Sequence, residues 1–258
     1  MGSSSKGQIG LEIFSGSGHL SASLRQRLKN VHCVEVDIKH GPQFDLTRRK
    51  VQRDLFKLLV SGRVVYVWLG TPYNSWSRAR RNDGRGPGPL RDDGDHIYGF
   101  NSLLPHDLHK VHVGNCLMRF SAKIFRFCIE HHIPVCFENP HTSRIWLAPP
   151  IKHLIQHPST DYQFTDFCQD LQPWRKRTGI LSAHVSLRLA CRQCCGHHGV
   201  CTRTQRKHLH LAGTVNGKFL TLIAEPYPRN LCKRLATAIS SAVHHLSSIS
   251  LWKYFARP

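Results

Sequence analysis

Acidic side chains are scarce in this chain. Its 258 residues carry 16 Asp and Glu against 36 Lys and Arg, a formal net charge of +20. A body so one-sided repels itself unless a polyanion neutralises it, and phosphate contacts do so with release of counterions. Basic residues recur from Arg25 to Arg257, so nucleic acid is the expected partner, ahead of a merely solubilising surface. Long apolar runs are also missing. No stretch approaches the ~20 residues of a membrane span, and the N-terminus lacks the apolar core of a secretory signal. Met1-Gly2 opens like a myristoylation site, but Lys6 stands where Ser or Thr is needed. Ten cysteines without a secretory signal imply a reducing compartment, hence thiols or a metal site rather than disulfides. The expected location is intracellular and, from the basic charge, nuclear.

What is present reads as α/β. Residues 9–14 form a β-prone apolar run, broken by Ser15-Gly16-Ser17-Gly18, and Leu20, Leu24 and Leu28 follow at helical spacing. A second β-prone run covers 31–38. A helix is predicted over 48–60, then a continuous apolar strand over 64–69, as in a parallel sheet buried on both faces. Residues 70–107 have no periodicity and predict a mobile basic loop. A long helix over 108–132, strands near 135–137, 162–167, 179–181 and 219–224, and a closing helix over 229–246 complete the pattern. The fold class expected is a Rossmann-like α/β domain over 9–246, with a mostly parallel sheet flanked by helices. A flexible leader over 1–8, a Cys/His module over about 188–212 and a tail over 247–258 accompany it.

The first turn, Phe14-Ser15-Gly16-Ser17-Gly18, lets a ligand approach the backbone closely at a helix N-terminus. The second strand ends in Glu35-Val36-Asp37, where an acid can bind ribose hydroxyls. Asp45, followed by Leu46, sits in the next loop, where a carboxylate can accept from an adenine amino group. Two glycines and two acids in this order point to a nucleoside-bearing cofactor rather than a plain turn.

The order of blocks resembles the DNA cytosine-5 methyltransferases. Leu11 to Gly18 is similar to that family's glycine block for S-adenosylmethionine. Glu35-Val36-Asp37 is similar to its ribose block, with Glu35 at the acid position, and Asp45-Leu46-Thr47 to its adenine-facing Asp-Ile-Thr block. Gly70-Thr71-Pro72-Tyr73-Asn74-Ser75-Trp76-Ser77 resembles the catalytic Gly-Phe-Pro-Cys-Gln-x-Phe-Ser block. Phe137-Glu138-Asn139-Pro140 resembles the Glu-Asn-Val block that holds the flipped cytosine, and Pro173 to Thr178 the basic Pro-Gln-x-Arg-x-Arg block. The chain also resembles methyltransferase-like reading frames of mobile elements through Trp76 to Arg80, Glu138 to Trp146 and Trp174 to Thr178. The resemblance implies a class I methyltransferase fold, S-adenosylmethionine as cofactor, and a nucleic-acid substrate, DNA in preference to RNA. It places Phe14, Ser15, Gly16, Ser17, Gly18, Glu35, Val36, Asp45, Leu46 and Gly70 at the cofactor, and Pro72, Tyr73, Asn74, Glu138 and Asn139 at the target base.

Tyr73 is the main departure. Cytosine-5 chemistry needs a thiolate to attack C6, and a phenol with pKa near ~10 is a poor substitute. The Thr71-Pro72-Tyr73 turn is closer to the loop of enzymes that methylate exocyclic amines of adenine or cytosine, although Gly70 stands where their polar residue belongs. Amine attack needs no covalent adduct, so transfer to N6 of adenine or N4 of cytosine is one reading. A catalytically silent nucleic-acid binder is the other. Arg78, Arg80 and Arg81, with Arg85 and Arg91 beyond, suit phosphate contact beside an extruded base, and Lys176 and Arg177 would support it.

Cys191, Cys194, Cys195, Cys201 and His208 crowd a short segment, as zinc ligands do. Cys191, Cys194 or Cys195, Cys201 and His208 are the set expected, in a module rich in Arg that would serve as a reduced recognition element. A cluster of free thiols is the alternative.

Overall fold

The computed structural model describes residues 7–80 and 87–255. Arg81 and Arg85, and most of the expected leader, lie outside them. A six-stranded sheet has the order β2-β1-β3-β4-β6-β5. Its parallel part is β1 (Gln8–Ile13), β2 (Val31–Val36), β3 (Val64–Leu69) and β4 (Val135–Pro140). β6 (Arg177–Ala183) runs antiparallel to both β4 and β5 (Thr160–Asp166). The α/β class with a mostly parallel sheet is therefore observed. Among the described residues no helix is long and apolar enough to cross a membrane.

Both sheet faces are covered, which is why β3 is apolar throughout. Val67 and Leu69 join Ile9, Leu11 and Ile13 in one core, which includes Leu55 and Leu59 of α2 (Arg49–Val60) and Met118, Ile124 and Phe125 of α3 (Pro105–Glu130). Tyr66 and Trp68 join the other core, with Leu20 and Leu24 of α1 (His19–Arg27) and Leu231 and Leu235 of α6 (Arg229–Phe255). The chain thus closes by laying its last helix beside its first. Between them come α4 (Pro149–Ile155), a small hairpin of β7 (Thr214–Val215) and β8 (Lys218–Phe219), and the one-turn helix α5 (Leu220–Ile223).

Three sequence expectations need correction. The strand expected over 219–224 is a strand end followed by a helical turn, because its alternating apolar residues have no sheet partner beyond Phe219. The closing helix continues through most of the expected tail, since no Gly or Pro interrupts the chain between 229 and 255. Within 70–107, Trp76, Leu90, Arg91 and Ile97 are buried. Arg91 donates to the Ser75 carbonyl at 2.8 Å, the Ile97 carbonyl at 2.7 Å, Asn115 Oδ1 at 2.9 Å and Ser75 Oγ at 2.9 Å. Its guanidinium also sits 3.5 Å from the Trp76 ring centre. Arg91 is therefore an interior bolt that ties the segment's far end to its start, not a phosphate-facing residue.

Candidate functional site

The strand order reverses at β1, whose neighbours are β2 on one side and β3 on the other. Open α/β sheets bind ligands at such a switch point, outside the carboxyl ends of the strands. A cavity of about 480 Å³ lies there, within the range of ligand sites. Phe14, Ser15, Gly16 and Ser17 form one wall, and Gly70, Thr71, Pro72, Tyr73 and Asn74 another. Glu138 and Lys176 close it, with Leu222, Glu225, Pro226 and Tyr227 from the segment before α6. A hollow of similar size at the opposite edge of the sheet has no carboxylate among its lining residues.

The glycine turn is built for close approach. Phe14, Gly16 and Gly18 all have positive φ, so the backbone coils tightly between β1 and α1. Gly16 N–H donates to Asp37 Oδ2 at 2.9 Å, which ties the turn to the end of β2. Ser15 Oγ is buried and has no partner in the protein, a polar atom left for a ligand. Gly70 is required for a different reason. A Cβ there would lie 2.9 Å from the Phe14 carbonyl oxygen and 3.0 Å from the Tyr227 hydroxyl. Gly70→Ala is expected to cost about 1–3 kcal/mol in denaturant unfolding, as overpacking does.

The acids divide differently from the sequence expectation. Asp37, not Glu35, lines the cavity. Glu35 is drawn into an ion pair with Arg25 at 2.6 Å. Asp45 accepts from Thr47 N–H at 2.9 Å and Thr47 Oγ at 2.6 Å, and these bonds hold its carboxyl below its ordinary range. Asp45 does not line the cavity, and Val36 and Leu46 are in the core. Gly18 caps α1 just outside the cavity.

Glu12, on β1, went unremarked in the sequence because it looked like one polar break in an apolar strand. It is buried, and its Oε2 accepts from Ser21 N–H of α1 at 2.8 Å while Oε1 has no partner. Burial pushes its carboxyl up to about 7, against the opposing Ser21 hydrogen bond. A raised carboxyl pKa favours the fold while the group is protonated. Its contribution is full below the unfolded value of 4.5 and is lost as pH rises through about 7. Glu12→Gln is expected to flatten that decline, by at most about 3 kcal/mol between pH 5 and 8, in unfolding midpoints measured across that range.

The opposite end of the cavity holds a buried polar cluster. Glu138 ends the apolar part of β4 and accepts from the Tyr227 hydroxyl at 2.6 Å. Burial raises the Glu138 carboxyl above its ordinary value, with Lys176 and Tyr227 opposing the rise. Lys176 donates to the carbonyls of Ala224 at 2.9 Å and Glu225 at 3.4 Å, and burial lowers its ammonium pKa. Tyr227 also accepts from Trp68 Nε1 at 3.3 Å. Asn139 is fully buried and does not line the cavity. Its Nδ2 donates to the Thr71 carbonyl at 2.7 Å and so brackets the 71–74 turn against β4. Tyr73 is largely enclosed, and burial together with Glu225 and Glu138 pushes its phenol up to about 12. A phenol held neutral is no nucleophile. Cys136, two residues before Glu138, is buried in the α1–α6 core with its thiol pushed far up by burial. No cysteine lines the cavity among the described residues.

Tyr227 and Glu225 were missed because they reach the site from a segment distant in sequence. The Pro226-Tyr227-Pro228 triplet before a helix was the available signal. The basic residues expected to meet nucleic acid have acids of their own. Arg78 pairs with Asp93 at 2.6 Å, Arg80 with Asp107 at 3.3 Å and Arg177 with Asp166 at 2.8 Å.

The Cys/His segment also assembles differently from expectation. Cys168, Cys194, Cys201 and His208 bring their donor atoms within 4.8 Å of one another. Cys191 and Cys195 are not in this group. Cys191 packs against the α1–α6 core, where burial pushes its thiol up to about 12, and Cys195 is exposed.

No family model matches the chain and no curated relative matches it. Among solved structures it is similar to a chain from a structure analysis of the Entamoeba histolytica methyltransferase EhMeth, at 11% identity and a TM-score of 0.38. The match covers 82% of this chain and 62% of that one. So distant a likeness bears on neither activity nor substrate.

Proposed function

We propose that this chain transfers a methyl group from S-adenosylmethionine to an exocyclic amine of a nucleic-acid base. The observation that carries the reading is the convergence, at the topological switch point, of the glycine turn, Asp37, the Thr71-Pro72-Tyr73-Asn74 turn and Glu138 on one cavity. The residues present fit the cofactor. The 14–17 backbone and the unpartnered Ser15 Oγ face it, and Asp37 keeps acceptor capacity for ribose hydroxyls. Bound there, S-adenosylmethionine supplies an electrophilic methyl group. Tyr73 stacks on the extruded base, Asn74 and Glu138 accept from its amino group, and Glu138 takes the proton that the amine releases. Lys176 holds the charge of Glu138 in check. No thiol lines the cavity among the described residues, and Tyr73 stands at the position of the resembled family's cysteine, which argues against cytosine-5 transfer.

The net charge of +20 supports a polyanionic substrate, and the preference for DNA over RNA rests on the motif resemblance alone. Calorimetry with S-adenosylmethionine, followed by label transfer to DNA and RNA, tests the reading. Binding and transfer are expected, with transfer weakening steeply as salt rises. Binding with no transfer to either polymer favours a silent nucleic-acid binder, and failure to bind the cofactor overturns the proposal.

A further inference from the structure

We propose that Cys168, Cys194, Cys201 and His208 form a closed structural zinc site whose task is to hold the segment 173–177 in place beneath the cavity. Three thiols and an imidazole are the donor set of a structural zinc centre, and four protein ligands leave no open position for chemistry. A tetrahedral ion with these ligands sets its donor atoms about 3.5–3.8 Å apart. Cys194 Sγ and His208 Nε2 are 3.7 Å apart, and all four donors fall within 4.8 Å. Cys168, Cys194 and Cys201 are buried together as a small cluster of their own, separate from both main cores. A disulfide between any two would leave the third thiol and the imidazole without a partner.

The ligands come from three places. Cys168 lies in the 3-10 turn after β5, Cys194 in an irregular segment whose N–H bonds to Asp166 at the end of β5, and Cys201 and His208 flank a tight loop closed by the Val200–Lys207 bridge. That loop has no hydrophobic core of its own, so an ion at its centre would supply the missing cohesion.

The site is wired to the basic segment by hydrogen bonds on both sides. Asp166, fully buried at the end of β5, accepts from Cys194 N–H at 2.7 Å and from Arg177 Nε at 2.9 Å and Nη2 at 2.8 Å. Arg175 and Arg177 donate in turn to the Cys194 carbonyl, at 2.6 and 3.0 Å. On the far side Leu209 N–H, next to His208, donates to the Pro173 carbonyl at 2.8 Å. The segment between Pro173 and Arg177 is thus gripped at both ends by residues that flank metal ligands. Lys176, which closes the cavity beside Glu138, lies inside that grip. Arg177, expected from sequence to support nucleic-acid contact, is spent on this scaffold together with Arg175.

The metal site stands independently of the methyl-transfer reading, and only its consequence for Lys176 rests on that reading. The test is zinc content of the full-length purified protein by mass spectrometry. One zinc per chain is expected, lost in Cys168→Ser, Cys201→Ser and His208→Ala, and kept in Cys191→Ser, Cys195→Ser and His208→Cys. Asp166→Asn is expected to weaken zinc affinity about 10- to 100-fold, as removal of a supporting hydrogen bond does. Should a ligand variant fail to fold, cobalt substitution in the wild-type chain gives the readout, as the visible bands of a tetrahedral thiolate–imidazole site. Hydrogen exchange tests the coupling. Removing zinc is expected to speed exchange across 166–177 and 194–209 while leaving β1 and the 14–18 turn unchanged. Protein that neither retains nor takes up zinc or cobalt overturns the site, and so does loss of metal in Cys191→Ser with retention in Cys168→Ser. Unchanged exchange at 173–177 on zinc removal overturns the positioning role.

Discussion

Replacing Glu138 by alanine is expected to lower methyl transfer about 100-fold or more while leaving affinity for S-adenosylmethionine within a few-fold. The carboxyl lies toward the carboxyl end of β4 and lines the cavity, and in the proposed function it would meet the target base rather than the cofactor. Its loss removes the acceptor for the base's amino group and the group that takes its proton. Positioned acid–base groups are worth ~10²- to 10⁴-fold in rate. Alanine also strands the Tyr227 hydroxyl, which donates to Glu138 at 2.6 Å, so some loss of stability will accompany the change. Glu138→Gln separates the two effects. The amide oxygen can keep the Tyr227 bond, but the group can no longer take a proton. Stability close to wild type with transfer still depressed is expected. Single-turnover rates with calorimetric cofactor affinities make the measurement. A Glu138→Ala chain that transfers at the wild-type rate would remove Glu138 from the chemistry.

The second large effect concerns folding. Arg91→Ala is expected to destabilise the chain by about 3–5 kcal/mol in urea unfolding. The side chain is fully buried, and four acceptors depend on it: Ser75 O, Ser75 Oγ, Ile97 O and Asn115 Oδ1. Truncation leaves them unpaired at about 1–3 kcal/mol each before relaxation, and opens a cavity against the Trp76 ring. Arg91→Lys is expected to recover only part of the loss, because an ammonium has three donors and no planar fork. Arg78→Ala is the control. Its pair with Asp93 is about half exposed, so a cost under ~1 kcal/mol is expected. Equal midpoints for the Arg91 and Arg78 variants would contradict the interior role of Arg91.

The sequence made the sheet legible where patterning is local. The apolar run 64–69 and the glycine turn 15–18 depend on neighbouring residues, and the turn, with Gly70 just after the run, falls at the carboxyl edge where the strand order reverses. Sites assembled from distant segments were harder to read. Cys168 escaped notice because it precedes β6, while Cys194, Cys201 and His208, whose donor atoms it joins, follow it. Tyr227 meets Glu138 only once α6 has folded back on α1. Of the two acids at the end of β2, Asp37 lines the cavity while Glu35 pairs with Arg25 of α1, a contact that sequence spacing alone did not show. The basic loop looked like a phosphate-facing surface because sequence shows charge but not burial. Arg91 is buried under Trp76, and Arg78 and Arg80 are matched by Asp93 and Asp107.

The central claim is methyl transfer to an exocyclic amine by a site without a nucleophilic thiol. Incubating the protein with labelled S-adenosylmethionine and DNA, digesting to nucleosides and separating the products tests it most directly. Label in N6-methyladenine or N4-methylcytosine is the expected result. Label in 5-methylcytosine would contradict it, because that product requires a nucleophilic attack that Tyr73 cannot make, and no cysteine among the described residues lines the cavity.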